Sequence, residues 1–481
     1  MHYDSLFIGG QWTAPTSSER LEVISPATVE PVGSVPVVVR ADVDAAVAAA
    51  RHAFDNGPWP STPPEERAAL LSRAARLLEQ RSAELGAALS AEVGAPAMAA
   101  ITLNQLPAVA AMDAYAELAK SFPWNEVRVG AFGTSRVSRE PRGVVAAVTA
   151  WNVPLFLACN KLAPALLAGC TVVLKPAPLT PITANMVADI FTEAGLPEGV
   201  LSVLPAEADV AEYLISHPGV DKVTFTGSTA VGRKIGAIAT EQLKSVSLEL
   251  GGKSAAILLP DMDLAAGIPV LAFSGLMNSG QGCVAQTRIL APRGRYDEIL
   301  EALVEHVKTM KVGMPDDPAV QLGPLISERQ RERVEGYIAK GKQEGARLVL
   351  GGGRPEGLDR GWFVEPTIFA DVDNKSTIAQ EEIFGPVLSV IPYETEEQAI
   401  AIANDSIYGL AGSVWTSDIE HGAEIAAKVR TGTFAINWYA FDPTSPFGGY
   451  KNSGLGRENG REGLDAFCEQ KSLLMPMGWT G

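Results

Sequence analysis

Residues 143–174 read GVVAAVTAWNVPLFLACNKLAPALLAGCTVVL. The apolar run Gly143–Thr149 shows no polar alternation, which is the pattern of a strand covered on both faces. Pro154 opens a helix, where its missing N–H costs nothing, and the apolar pattern carries that helix to Leu167. Thr171–Leu174 (TVVL) is the next strand. A strand, a helix and a strand within about thirty residues form the crossover unit that joins parallel strands.

The pattern repeats outward from there. KPAPLTP (175–181) reads as a loop, Thr183–Ala194 as a helix and Val200–Leu204 as a strand. After a further helix come strand Val220–Thr226, helix Ser228–Gln242 and strand Ser245–Leu250. Alternation of this kind predicts an α/β, doubly wound parallel sheet of the dinucleotide-binding type. Upstream, an extended piece (Phe7–Pro36) precedes helices at Ala41–Phe54 and Pro64–Leu89, and Val127–Glu140 reads as exposed strands. A second α/β block runs from about Ser254 to Gly448. It holds the strand AAILL, a helix leading into NSGQGC, a charged helix over Ser327–Gly345 and the strand VLSVIPY. Glu469–Met477 reads as a peripheral strand.

At 481 residues the chain exceeds one ordinary core, so two domains and a smaller element are expected. A hydrophobic share of 47% and a charged share of 20% describe a well-buried globular protein. A net charge of −17 without a basic stripe argues against nucleic acid and anionic membranes as partners. The four cysteines, Cys159, Cys170, Cys283 and Cys468, form no CxxC pair and no zinc-spaced cluster, so no metal is expected. That usage suits a reducing compartment. With no signal-like start and no apolar run of roughly 20 residues, a cytoplasmic protein is the expectation.

Four segments carry candidate chemistry. In NSGQGC, Cys283 follows glycines that let a substrate approach the backbone, and it reads either as a nucleophile or as a small buried hydrophobe. In SLELGGK, Glu249 ends a strand and is either a general base or an ion-pair partner of Lys253. In AWNVP, Asn152 sits between strand and helix, where its amide could donate to an oxyanion or merely form a turn. In VTFTGSTAVG, Gly227 and Ser228 open a helix whose free N–H groups and positive dipole end suit a pyrophosphate, although the G-x-G-x-x-G pattern is absent.

Taken together and in order, AWNVP, LKPAP, FTGS, LELGGK, GQGC, EEIFGPV and PFGGYKNSG resemble the aldehyde dehydrogenase family over nearly the whole chain. Glu249 and Cys283 are 34 positions apart, the usual family separation. The resemblance implies an aldehyde substrate, with Cys283 as nucleophile, Asn152 as oxyanion donor and Glu249 as activator of the hydrolytic water. It implies a nicotinamide cofactor held by Lys175, Gly227, Ser228, Glu382 and Phe384, with Trp151 nearby. It also implies a cofactor domain of residues 1–122 and 142–252, a catalytic domain of 253–450, and a small β element of 123–141 and 466–481. That last element would assemble a homodimer or homotetramer, removing exposed sheet edges.

Two departures from the family pattern matter. Many NAD-preferring members carry a glutamate three residues after the lysine, and here Pro178 stands in its place. KPAPLTP gains no further cation, so NAD is favoured while NADP stays open. Along the substrate channel, Val153 and Asn160 replace bulky aromatics and are expected to widen it, with Asp442 at its entrance. Cys159, Cys170 and Cys468 read as structural, and Phe447 and Lys451 as fixing the loop that closes the catalytic domain.

Three rival readings remain in view. A CoA-acylating dehydrogenase would not need Glu249. A silent binding or structural member of the family would tend to lose the nucleophile. A cysteine hydrolase would need a histidine in a catalytic motif, and none of His2, His52, His217, His306 and His421 lies in one.

Overall fold

The computed structural model describes residues 1–479. The final two residues of the expected C-terminal element lie outside the described residues.

Five parallel strands form the centre of the first sheet: β1 (Val144–Val148), β2 (Thr171–Lys175), β3 (Leu201–Val203), β4 (Lys222–Thr226) and β5 (Ser245–Glu249). Their spatial order is β5-β4-β1-β2-β3, and the chain order reverses on the two sides of β1. Antiparallel edges close both flanks: Leu6–Ile8 and Gln11–Thr13 beyond β3, and Gly454–Leu455 beside β5. Every residue of β1, β2, β3 and β4 is buried, as expected of strands covered on both faces. The covering helices include α1 (Pro154–Ala168), α2 (Ile182–Glu193), α3 (Ala208–Ser216) and α4 (Thr229–Glu241). Helix α1 ends on Gly169, whose φ of +96° is the left-handed stop that glycine makes without strain.

The second sheet is built on β6 (Ala255–Leu258), β7 (Arg288–Pro292), β8 (Thr367–Ala370), β9 (Val387–Tyr393) and β10 (Gly412–Trp415). Their order is β8-β9-β7-β6-β10, all parallel. The chain passes from β5 to β6 through Leu250–Ser254, so the two sheets meet at LELGGK. A third sheet pairs Cys468–Leu474 with Gly133–Pro141 and that strand with Asn125–Gly130, all antiparallel.

The pattern-based expectation of one helix over Pro64–Leu89 is corrected. Two helices, Pro64–Gln80 and Ser82–Glu92, meet at Arg81, whose ψ of 15° breaks the turn. Neither glycine nor proline marks the break.

Candidate active site

The glycines of LELGGK explain why the site forms where the sheets meet. A Cβ on Gly251 would collide with the Glu382 carboxyl, and one on Gly252 with the Cys283 carbonyl. Only bare backbone lets these two segments close on the end of β5. On the opposite side, a Cβ on Gly448 would lie 2.7 Å from Glu249 Oε1. Glu249, Cys283, Glu382 and the 447–449 loop therefore converge.

Cys283 follows a strained turn. Asn278 and Ser279 both hold left-handed backbone, with φ of 52° and 55°, which costs a non-glycine residue energy unless neighbours enforce it. The enforcement is visible: Ser279 Oγ donates to Gly323 O at 2.7 Å, and Asn278 Nδ2 to Asn152 O at 2.9 Å. Gln281, 1% exposed, accepts from Ile326 N on its side-chain oxygen. Asn152 Nδ2 donates to Gln281 O at 3.1 Å. An amide nitrogen carries two hydrogens, so one remains for another acceptor. Burial, together with the Glu382 and Glu249 carboxylates, pushes the Cys283 thiol up to about 12.

Glu249 is 4% exposed, and neither carboxylate oxygen has a hydrogen-bond partner. The pairing with Lys253 that the sequence allowed is not made. Burial first, and then the charge of Glu458, raise its pKa well above the usual carboxylate value, while Lys161 and Arg457 oppose the rise. Glu458 and Lys161 were not anticipated. Lys161 Nζ donates to Glu458 Oε1 at 2.5 Å and to Thr224 Oγ1 at 3.1 Å. A lysine within a largely apolar helix was the available signal, since lysine is rarely buried unless paired. The Tyr439 phenol also stands beside Cys283 and Glu249, which together with burial raise its pKa.

Two of the expected channel residues have their polar groups engaged. Asn160 is 2% exposed and donates through Nδ2 to Glu458 Oε2 at 3.0 Å, so its amide faces the Glu458–Lys161 pair. The Asp442 carboxylate folds back onto its own loop, accepting from Thr444 N and Ser445 Oγ. Its neighbour Phe441 is the side chain that reaches α1, packing edge-on to Phe156 at 4.6 Å between ring centroids. Val153, at the N-cap of α1, and Phe156 are the half-buried positions at the start of a helix that is otherwise fully buried.

The residues expected to hold a dinucleotide lie at or just after the ends of β1, β2 and β4 and in the 382–384 loop. Ser228 caps the exposed start of α4, and a Cβ on Gly227 would strike the Phe225 ring. Lys175 ends β2 with its amine drawn down to about 8 by burial. Glu382 accepts from Gly252 N at 2.9 Å, and burial lifts its carboxyl to about 7. Phe384 holds a φ of +61° and meets Trp151 edge-on at 5.3 Å. Gln330 and Arg333 enforce that strained loop by donating to Phe384 O at 2.7 Å and Glu382 O at 2.6 Å. Cys159, Cys170 and Cys468 are buried and free. Lys451 Nζ bonds Asn404 O and Ser406 O, while Phe447 and Glu458 exchange backbone hydrogen bonds. Among the described residues no metal-binding cluster occurs, and no helix is long and apolar enough to cross a membrane.

Comparison with known proteins agrees with this geometry. Residues 12–473 match the family model described as the aldehyde dehydrogenase family. The chain is 47% identical to a geranial dehydrogenase of Castellaniella defragrans, covering 98% of this chain and 99% of the relative. A Mycobacterium tuberculosis aldehyde dehydrogenase complexed with NAD+ superposes with a TM-score of 0.99 at 64% identity, covering 100% of both chains. A mutant aldehyde dehydrogenase C of Pseudomonas syringae, in complex with NAD+ and octanal, gives 0.95 at 40% identity, over 98% of this chain and 96% of that one. With the family model matched over residues 12–473 and relatives of this identity aligned over nearly their whole length, this chain belongs to the aldehyde dehydrogenase family.

Proposed function

We propose that the protein oxidises an aldehyde to its carboxylic acid through a thioester on Cys283, with NAD as hydride acceptor. The observation that carries this reading is the convergence of Cys283, Asn152 and the unpartnered Glu249 where the two sheets meet.

The Cys283 thiol gives up its proton to solvent, the thiolate sulfur attacks the aldehyde carbon, and the carbonyl π pair moves onto oxygen. The spare Asn152 Nδ2 hydrogen and the Cys283 backbone N–H hold that oxyanion. A bound NAD would supply the acceptor for the hydride that the tetrahedral carbon gives up. Lys175 and Ser228 would hold the dinucleotide's adenosine and pyrophosphate, while Glu382, Phe384 and Trp151 would frame its nicotinamide end. Glu249 then removes a proton from water as the water oxygen attacks the thioester carbon, and the C–S bond breaks to free the acid and restore the thiol. A carboxylate whose pKa is raised by burial is a stronger base than an exposed one, which suits this step.

The half-buried Val153, Phe156 and Phe441 suit an apolar aldehyde. Residues 1–122 and 142–252 form the cofactor domain, 253–450 the catalytic domain, and the third sheet the assembly element of a cytoplasmic homodimer or homotetramer. Exposed apolar side chains on that sheet, Val129 at 84% and Leu474 at 80%, support the assembly.

The test mixes purified protein with NAD or NADP and a panel of short, long and aromatic aldehydes, with and without CoA, and identifies the product. Free acid that requires Cys283 and is indifferent to CoA supports the proposal. An acyl-CoA product, or cofactor binding with no oxidation of any aldehyde, overturns it.

A further inference from the structure

The loop after β2 holds no carboxylate, since residues 176–181 read PAPLTP. Lys175 nonetheless has one charged neighbour acting on its amine, Glu207. The sheet accounts for the proximity. Strands β2 and β3 run parallel with Leu174 opposite Val203, and Leu204 N donates to Leu174 O at 2.9 Å. Residues 204–206 are buried, and the chain emerges at Glu207, which is exposed and stands at the N-cap of α3. Its side chain bonds none of the helix N–H groups there. A carboxylate not engaged by its own helix and a largely buried lysine thus flank the C-terminal ends of adjacent strands, the edge at which an open parallel sheet binds its ligands.

We propose that Glu207 pairs with Lys175 to grip the adenosine ribose of the dinucleotide and thereby selects NAD over NADP. This rests on the reading that a nicotinamide dinucleotide binds at this edge. A ribose 2′-hydroxyl offers a hydrogen to the carboxylate while its 3′ neighbour accepts from the ammonium. A 2′-phosphate would bring two negative charges against Glu207 without supplying a donor in return. The carboxylate missing at Pro178 is therefore supplied from the next strand.

Binding of NAD and of NADP to the wild type, Glu207→Gln and Glu207→Arg is measured by calorimetric titration without aldehyde, alongside melting curves that verify folding. In Glu207→Gln, NAD affinity falls about tenfold, the scale of one charge-assisted hydrogen bond. NADP affinity rises in the same variant, and rises further in Glu207→Arg. If both dinucleotides change by the same factor in both folded variants, or neither changes, the proposal is overturned. Should the wild type bind neither dinucleotide, the cofactor reading itself fails, and this inference fails with it.

Discussion

Two regions of the molecule each bury a carboxylate, and they treat it in opposite ways. At the start of α2, Glu92 is 0% exposed and accepts from Ile182 N at 2.8 Å, Thr183 N at 3.0 Å and the Thr183 hydroxyl. It caps a helix whose first N–H groups would otherwise be stranded. At the end of β5, Glu249 is nearly as buried and accepts nothing. Desolvation raises both pKa values, Glu92 to about 7. A satisfied buried carboxylate stabilises the fold. An unsatisfied one weakens it, and persists here where a base is needed.

Substitutions sharpen this contrast. The largest expected effect is on the nucleophile: Cys283→Ala lowers aldehyde oxidation by about 10⁴-fold or more, because no other group supplies the covalent step. Glu249→Gln slows acyl-enzyme hydrolysis by roughly 10²–10⁴-fold, the range of general base catalysis, while single-turnover reduction of NAD survives. Equal loss of both steps would remove Glu249 from the hydrolytic role. Glu92→Gln acts the other way, lowering the apparent Tm while the rates of the folded enzyme hold.

The pH dependence tests the raised pKa of Glu249 directly. An acid whose pKa is raised by folding contributes most stability below the ordinary carboxylate range, and that contribution is lost as pH climbs toward the raised value. Glu249→Gln removes this loss, so the variant melts above the wild type at pH 8, and the gap closes toward pH 4. A gap that widens on acidification would contradict the raised pKa. A smaller effect is expected at Asn160→Leu, which strips Glu458 Oε2 of its donor at a cost of about 1–3 kcal/mol. Its penalty is the same for small and bulky aldehydes, whereas Phe441→Ala changes their ranking.

Much of this was legible in sequence. The alternation of strands and helices from 143 to 250 placed each element within one or two residues, because a two-sided parallel sheet demands continuous apolar runs. The motifs pointed to the convergence of Cys283, Glu249, Asn152 and Glu382 through their resemblance to the family. The bond Asn160 makes is not legible in sequence, because a position in a chain does not say which neighbour a side chain faces. Its partner Glu458 arrives from a distant segment, and no periodicity connects the two. At Asp442 the bonding is local: an aspartate two residues before a threonine closes its own turn. Glu207 escaped attention because its relevance depends on which strand lies beside β2.

The small edge strand Gly454–Leu455 pairs with Leu248 and Glu249, and Leu250 N donates to Ser453 O at 2.9 Å. The seat of Glu249 is thus finished by residues translated well after Glu249 itself. A nascent chain that has emerged only as far as Asn437 holds the strands of both large sheets apart from this edge, yet lacks the wall against which its base rests. Synthesis from the N-terminus consequently delays competence until residues 454–455 have emerged, and a product truncated before them carries the nucleophile without a seated base.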